Sequence, residues 1–135
     1  MKFKINITKE VLELSKMCNI NGINRNSVGQ NCAIGKAIVD IFGLNSWVNR
    51  KTISFYDSAV YKNDTNVIHL PIGNIQLSSE TTMFIDKFDT SSAEDRVLMT
   101  PFSFEIDVPD TILEQIIDIS EITTLLAKAP YMELV

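Results

Sequence analysis

Residues 102–108 read Phe-Ser-Phe-Glu-Ile-Asp-Val, seven positions of strict apolar–polar alternation. A two-residue period puts every second side chain on one face of a strand, so Phe102, Phe104 and Ile106 are expected toward a core and Ser103, Glu105 and Asp107 toward water. Such a strand needs a neighbour to pair with and an apolar layer to cover it. Residues 32–42 carry a different rhythm: Ile34, Ala37, Ile38, Ile41 and Phe42 recur on one helix face,. Asn31 is placed to cap the start of that helix, and Gly43 to take the left-handed position after its end. The switch of period within 135 residues predicts a single α+β domain,. In it, a small, mainly antiparallel sheet packs against three to five helices.

The remaining segments fill in that outline. Lys2–Ile7 alternates like a half-buried strand, and Thr8 can cap a helix running to about Met17, with Val11, Leu12 and Leu14 as its apolar positions and Cys18 at its close. Residues 19–31 read as a long polar, Asn-rich loop punctuated by Gly22 and Gly29. A meander of short strands is expected at Trp47–Val48, Thr52–Tyr56, Ala59–Tyr61 and Val67–Leu70, ended by Pro71. Ser78 or Ser79 starts a helix to about Phe88 that buries Met83, Phe84 and Phe88, followed by a turn-rich connection over 89–93. Thr111 and Glu114 have capping-box spacing ahead of Ile112, Leu113, Ile116 and Ile117. Ser120 can cap a last helix, which Pro130 stops.

Charge is unevenly spread. The net value is −5, yet residues 1–67 hold nine Lys/Arg against five Asp/Glu, whereas residues 68–135 hold three against twelve. The halves either pair their charges internally or form a dipolar surface whose acidic side repels nucleic acid and attracts a basic partner. Non-specific nucleic-acid binding is disfavoured in both cases. No apolar run approaches the ~20 residues of a membrane span, and no apolar h-region follows the N-terminal lysines. The expectation is therefore a cytoplasmic protein with its two cysteines reduced and no membrane partner. One histidine and two cysteines cannot complete a four-ligand zinc site,. No metal or cofactor is expected.

Three residue groups have chemical potential. Cys32 opens the central helix, where unpaired N–H groups and the dipole favour a thiolate; His69 is the sole imidazole that could serve it as base, and Gln30 could donate to an oxyanion. The order Cys, strands, His is that of some cysteine hydrolases, but their Asp-Cys-Ser-Gly and Cys-Gly-Ser-Cys-Trp signatures are missing, so a packed, structural Cys32 is the default. Glu105 and Asp107 share one strand face at a spacing suited to acid–base work or a divalent ion, against the simpler reading of a wet strand face. An anion site would combine Asn31 and the start of the 32–42 helix with Arg25, Arg50 and Lys51, and would suit a small anionic nucleotide.

Asn31-Cys32-Ala33-Ile34 with Ala37, Ile53 with Phe55, Leu70-Pro71, Phe84-Ile85 with Phe88-Asp89, and Pro101-Phe102 with Phe104-Glu105 together resemble small proteins encoded by bacteriophages and prophage regions. Ala33 stands where those proteins are expected to carry proline. The resemblance implies a source and brings no established activity or site. With the compact size and acidic half, it leads to the expectation of a non-enzymatic binding protein of phage or mobile-element type. Such a protein would act on a host protein or sequester a nucleotide signal, with room for a homo-oligomer. A virion or assembly component and a Cys32/His69 hydrolase are the alternatives.

Overall fold

The computed structural model describes residues 1–18, 32–63 and 66–135. It shows two three-stranded antiparallel sheets and six α-helices, so the α+β expectation holds, with the strands divided between two sheets. The first sheet has the order β5-β1-β6, formed by Phe102–Asp107, Lys2–Ile7 and Met132–Leu134. Lys2 faces Asp107, Lys4 faces Glu105 and Asn6 faces Ser103 across the β1–β5 pair. The strand Lys2–Ile7 is thus central, with partners drawn from the far end of the chain. The three-residue β6 lacks a periodic signal of its own.

The second sheet has the order β2-β3-β4, formed by Ser46–Val48, Thr52–Asn63 and Asn66–Gln76. Here the expected chain of short strands merges into one long hairpin, with register irregularities between Phe55 and Tyr56 and between Asp57 and Val60. Pro71 does not end a strand. It lies inside β4, paired with Tyr56 beside an irregularity, and an edge strand tolerates the missing N–H,.

Helix α2, Cys32–Phe42, ends where expected, and Gly43 takes φ +47° in the 3-10 turn Gly43–Asn45 that leads into β2. Its apolar face is fully used: Ile34, Ala37, Ile38, Ile41 and Phe42 are all buried. Phe42 meets Phe3 of β1 edge-on at 5.8 Å and Phe55 of β3 at 5.3 Å, so one ring locks the helix to both sheets. T-shaped pairs of this kind add roughly 0.5–1.5 kcal/mol each beyond the area they bury.

Helix α1, Lys9–Ser15, is capped by the Thr8 hydroxyl, which accepts from the Val11 N–H at 3.2 Å. Leu14 is exposed, and Ser15 takes the buried place instead, donating its hydroxyl to the Val11 carbonyl. Helix α3, Ser79–Thr90, is capped by Ser78 and buries Thr81, Phe84, Ile85 and Phe88. Met83, expected inside, is 70% exposed, because α3 turns that position outward. The connection after it contains a further helix, α4, Ala93–Val97, capped by Ser92. Helix α5, Asp110–Ile116, starts after Pro109 with no side-chain cap, so Thr111 lies within the first turn and no capping box forms. Asp118, not Ser120, caps the 3-10 turn Ile119–Glu121 that precedes α6, Ile122–Ala127.

Two features were not expected. Cys18 is disulfide-bonded, which corrects the expectation of reduced thiols; the sequence holds one other cysteine, Cys32. Arg96 of α4 is 2% exposed. Its Nε donates to the Phe88 carbonyl at 2.9 Å, and its Nη1 donates to the carbonyls of Lys16 and Cys18 at 3.1 and 2.9 Å. One guanidinium thereby ties the ends of α1 and α3 together.

Candidate functional site

Residues 97–127 contain six carboxylates and no lysine or arginine. Three of the six gather around α5. Ile112 and Leu113 anchor this helix in the core, which turns Asp110 and Glu114 to solvent. Ile117 leaves the helix in extended conformation, and its N–H still bonds to the Leu113 carbonyl at 2.9 Å. The chain then bends at Asp118, whose Oδ1 accepts from the Ser120 N–H at 3.0 Å and the Ser120 hydroxyl at 2.7 Å. The bend opens a groove of about 740 Å³ lined by Asp110, Glu114, Gln115, Ile116, Ile117, Asp118 and Ile119.

The three isoleucines are partly buried and packed against the core, so they form an aliphatic floor that is already supported from beneath. The carboxylates of Asp110, Glu114 and Asp118 stand at its margin and are exposed. Asp110 is 3.4 Å from the Met1 ammonium, which also lies 3.3 Å from Asp107. The groove therefore offers apolar contact area with negative charge around it, and no group of three or more potential metal ligands occurs among the described residues. That combination suits the alkyl stem and cationic head of lysine or arginine side chains, which bury methylenes while keeping charge at the rim.

The residues singled out from sequence fare differently. Arg25, Gln30 and Asn31 lie outside the described residues, as do the side chains of Cys32 and His69. Arg50 is described, and its fork is engaged: Nε and Nη2 donate to the two oxygens of Asp86 on α3 at 2.7 and 2.9 Å. This hydrogen bond raises the Arg50 pKa and ties the β2–β3 turn to α3. Lys51 is exposed beside it, with its backbone N–H bonded to Asn49 Oδ1. Glu105 and Asp107 do share the wet face of β5, where Lys4 and Lys2 stand opposite them.

The α5 groove escaped sequence reasoning because its floor comes from a helix end and a bend, whose isoleucines look like ordinary core positions. The long run without a basic residue was the one available signal. Comparison with protein-family models, with curated proteins and with solved structures finds no match for this chain.

Proposed function

We propose that this chain is a non-enzymatic binding protein whose α5 groove receives a basic, partly apolar segment of another protein. The observation that carries this reading is the pairing of a supported isoleucine floor with three exposed carboxylates, Asp110, Glu114 and Asp118. Of the two ligand classes suggested by the sequence, the groove favours a protein over an anionic nucleotide, which those carboxylates would repel. Arg50, one intended contact of the nucleotide site, already holds Asp86. The resemblance to phage-encoded proteins makes a protein of the host cell the natural partner.

Titration calorimetry with a lysine- and leucine-containing peptide tests the reading. Binding is expected to weaken with added salt and to fall about tenfold in Glu114→Lys, since reversing a charge beside a bound cation costs on the order of 1–2 kcal/mol. A peptide that binds the native and variant proteins equally removes the groove from consideration. Nucleotide binding that disappears in Arg50→Ala would instead restore the anion site.

A further inference from the structure

The open edge of β5 is built to accept another strand. In an antiparallel ladder, residue pairs that exchange both main-chain hydrogen bonds alternate with pairs that exchange none, and in the latter the N–H and C=O groups point away from the partner. Met1 and Val108 exchange both, at 2.9 and 3.0 Å. Stepping by two along the register, Phe3–Ile106, Ile5–Phe104 and Ile7–Phe102 are the bonded pairs, which leaves Lys2–Asp107, Lys4–Glu105 and Asn6–Ser103 as the unbonded ones. The other side of β1 agrees: the Asn6 N–H bonds to the Tyr131 carbonyl and the Lys2 carbonyl accepts from Val135, both toward β6. The N–H and C=O groups of Ser103, Glu105 and Asp107 therefore point outward from the sheet. Among the described residues no hydrogen bond reaches them, and no strand pairs with that edge.

Proteins usually blunt such an edge with lysine, proline or a bulge. Here Pro101 and Pro109 flank the strand and leave its middle regular. The side chains say what would fit. Across the wet face of this sheet charge alternates from strand to strand: Glu133 on β6, Lys4 on β1, Glu105 on β5. The Lys4 ammonium lies 3.9 Å from Glu133, and no ion pair or hydrogen bond engages the Glu105 carboxylate among the described residues. The next strand in that alternation is a basic one.

We propose that β5 receives an extended segment of a partner protein with lysine or arginine at every second position and apolar residues between them. Basic residues would stand opposite Glu105 and Asp107, and the apolar ones would continue the inner face formed by Phe104 and Ile106. Strand β1 already shows this pattern on the other side of β5, in Lys2-Phe3-Lys4-Ile5. A second copy of the chain is the poorer occupant. In the antiparallel register that uses all three outward residues, Glu105 would face Glu105, and like charges directly opposite destabilise a pair. The proposal rests on the binding reading above for the existence of a protein partner, and it adds a main-chain contact distinct from the groove.

A synthetic peptide of the sequence Lys-Phe-Lys-Ile-Asn-Ile serves as probe, with the same peptide N-methylated on alternate amides as control. Its binding is followed by amide hydrogen exchange of the full chain. The parent peptide is expected to slow exchange at Ser103, Glu105 and Asp107, and the N-methylated register that faces β5 to do nothing. Glu105→Pro removes the outward N–H together with the carboxylate and touches no β1–β5 main-chain bond, so the ladder and the melting temperature should survive while peptide affinity falls about tenfold or more. Glu114→Lys in the groove should leave this protection unchanged, which separates failure of the edge from failure of the groove. No protection at these three amides with peptide at millimolar concentration, or protection that persists in Glu105→Pro, overturns the proposal. Protection that appears without peptide as the chain dimerises assigns the edge to a second copy and also overturns it.

Discussion

The Arg96 guanidinium carbon lies 4.3 Å above the centre of the Phe88 ring, while its Nε bonds to the carbonyl of the same residue. Phe88 thus meets the cation with both its ring and its main chain, and Nη1 holds the carbonyls of Lys16 and Cys18, 80 and 78 residues away in sequence. Among the described residues Nη2 alone has no partner. Burial lowers the Arg96 pKa and Asp89 opposes the shift. Arg96→Met should cost about 3 kcal/mol, because three carbonyls lose a charged donor and Asp89 loses its counter-charge. Urea unfolding of the two proteins measures it; Arg96→Lys should recover only part, since an ammonium cannot span the same three acceptors.

Asp89 offers a pH test. Burial raises its carboxyl pKa above the ordinary value of 3.8, Arg96 pulls it down and Asp86 pushes it up again. A raised folded-state value means the fold prefers the neutral acid, so the contribution to stability is complete below the unfolded value and is lost as pH rises through the folded one. Carboxyl-carbon NMR should place the Asp89 midpoint above 3.8. The stability of Asp89→Asn, relative to the native protein, should increase as pH climbs through that interval.

The disulfide at Cys18 predicts a redox-sensitive melting temperature. A crosslink between the two cysteines of this sequence closes a loop of roughly fifteen residues, worth about 3 kcal/mol through the unfolded chain. Thiol reagents should find no free sulfhydryl in the native protein, and reductant should lower its melting point. Two titratable thiols before reduction would refute the crosslink and restore the reducing compartment expected from the sequence.

Gly73 on β4 sits beneath α5. A Cβ placed there would lie 3.0 Å from Ile112 Cδ1. Gly73→Ala should therefore cost about 1 kcal/mol through mild overpacking, and Ile112→Val, which removes that methyl group, should abolish most of the penalty in the double variant. Additive effects in the cycle would show that the strand and helix do not touch as described.

Legibility in the sequence followed the length and purity of each pattern. Phe102–Val108 and Cys32–Phe42 announce their faces residue by residue, and both elements stand where their periods place them. Met83 and Leu14 misled because a short helix admits several apolar faces, and only packing picks one. Pro71 misled because its cost depends on whether a strand is central or at an edge, which one strand's sequence does not carry. Arg96 gave no warning at all: a charged residue in a polar connection reads as solvated until Phe88 and two distant carbonyls surround it. The α5 groove and the β5 edge share that difficulty, since each is made by what the tertiary fold leaves uncovered.

Strand β1 precedes both its neighbours in the chain, since β5 and β6 come from beyond residue 101. A ribosome releases the central strand of this sheet long before either partner exists. Lys2–Ile7 must wait, with apolar Phe3, Ile5 and Ile7 exposed or held provisionally on α1 and α2, until Phe102–Asp107 and Met132–Leu134 have emerged. Sheet closure is therefore the late step of folding, and its long sequence separation makes it the slow one. C-terminal truncation during translation would leave the first strand unpaired and prone to associate with other chains.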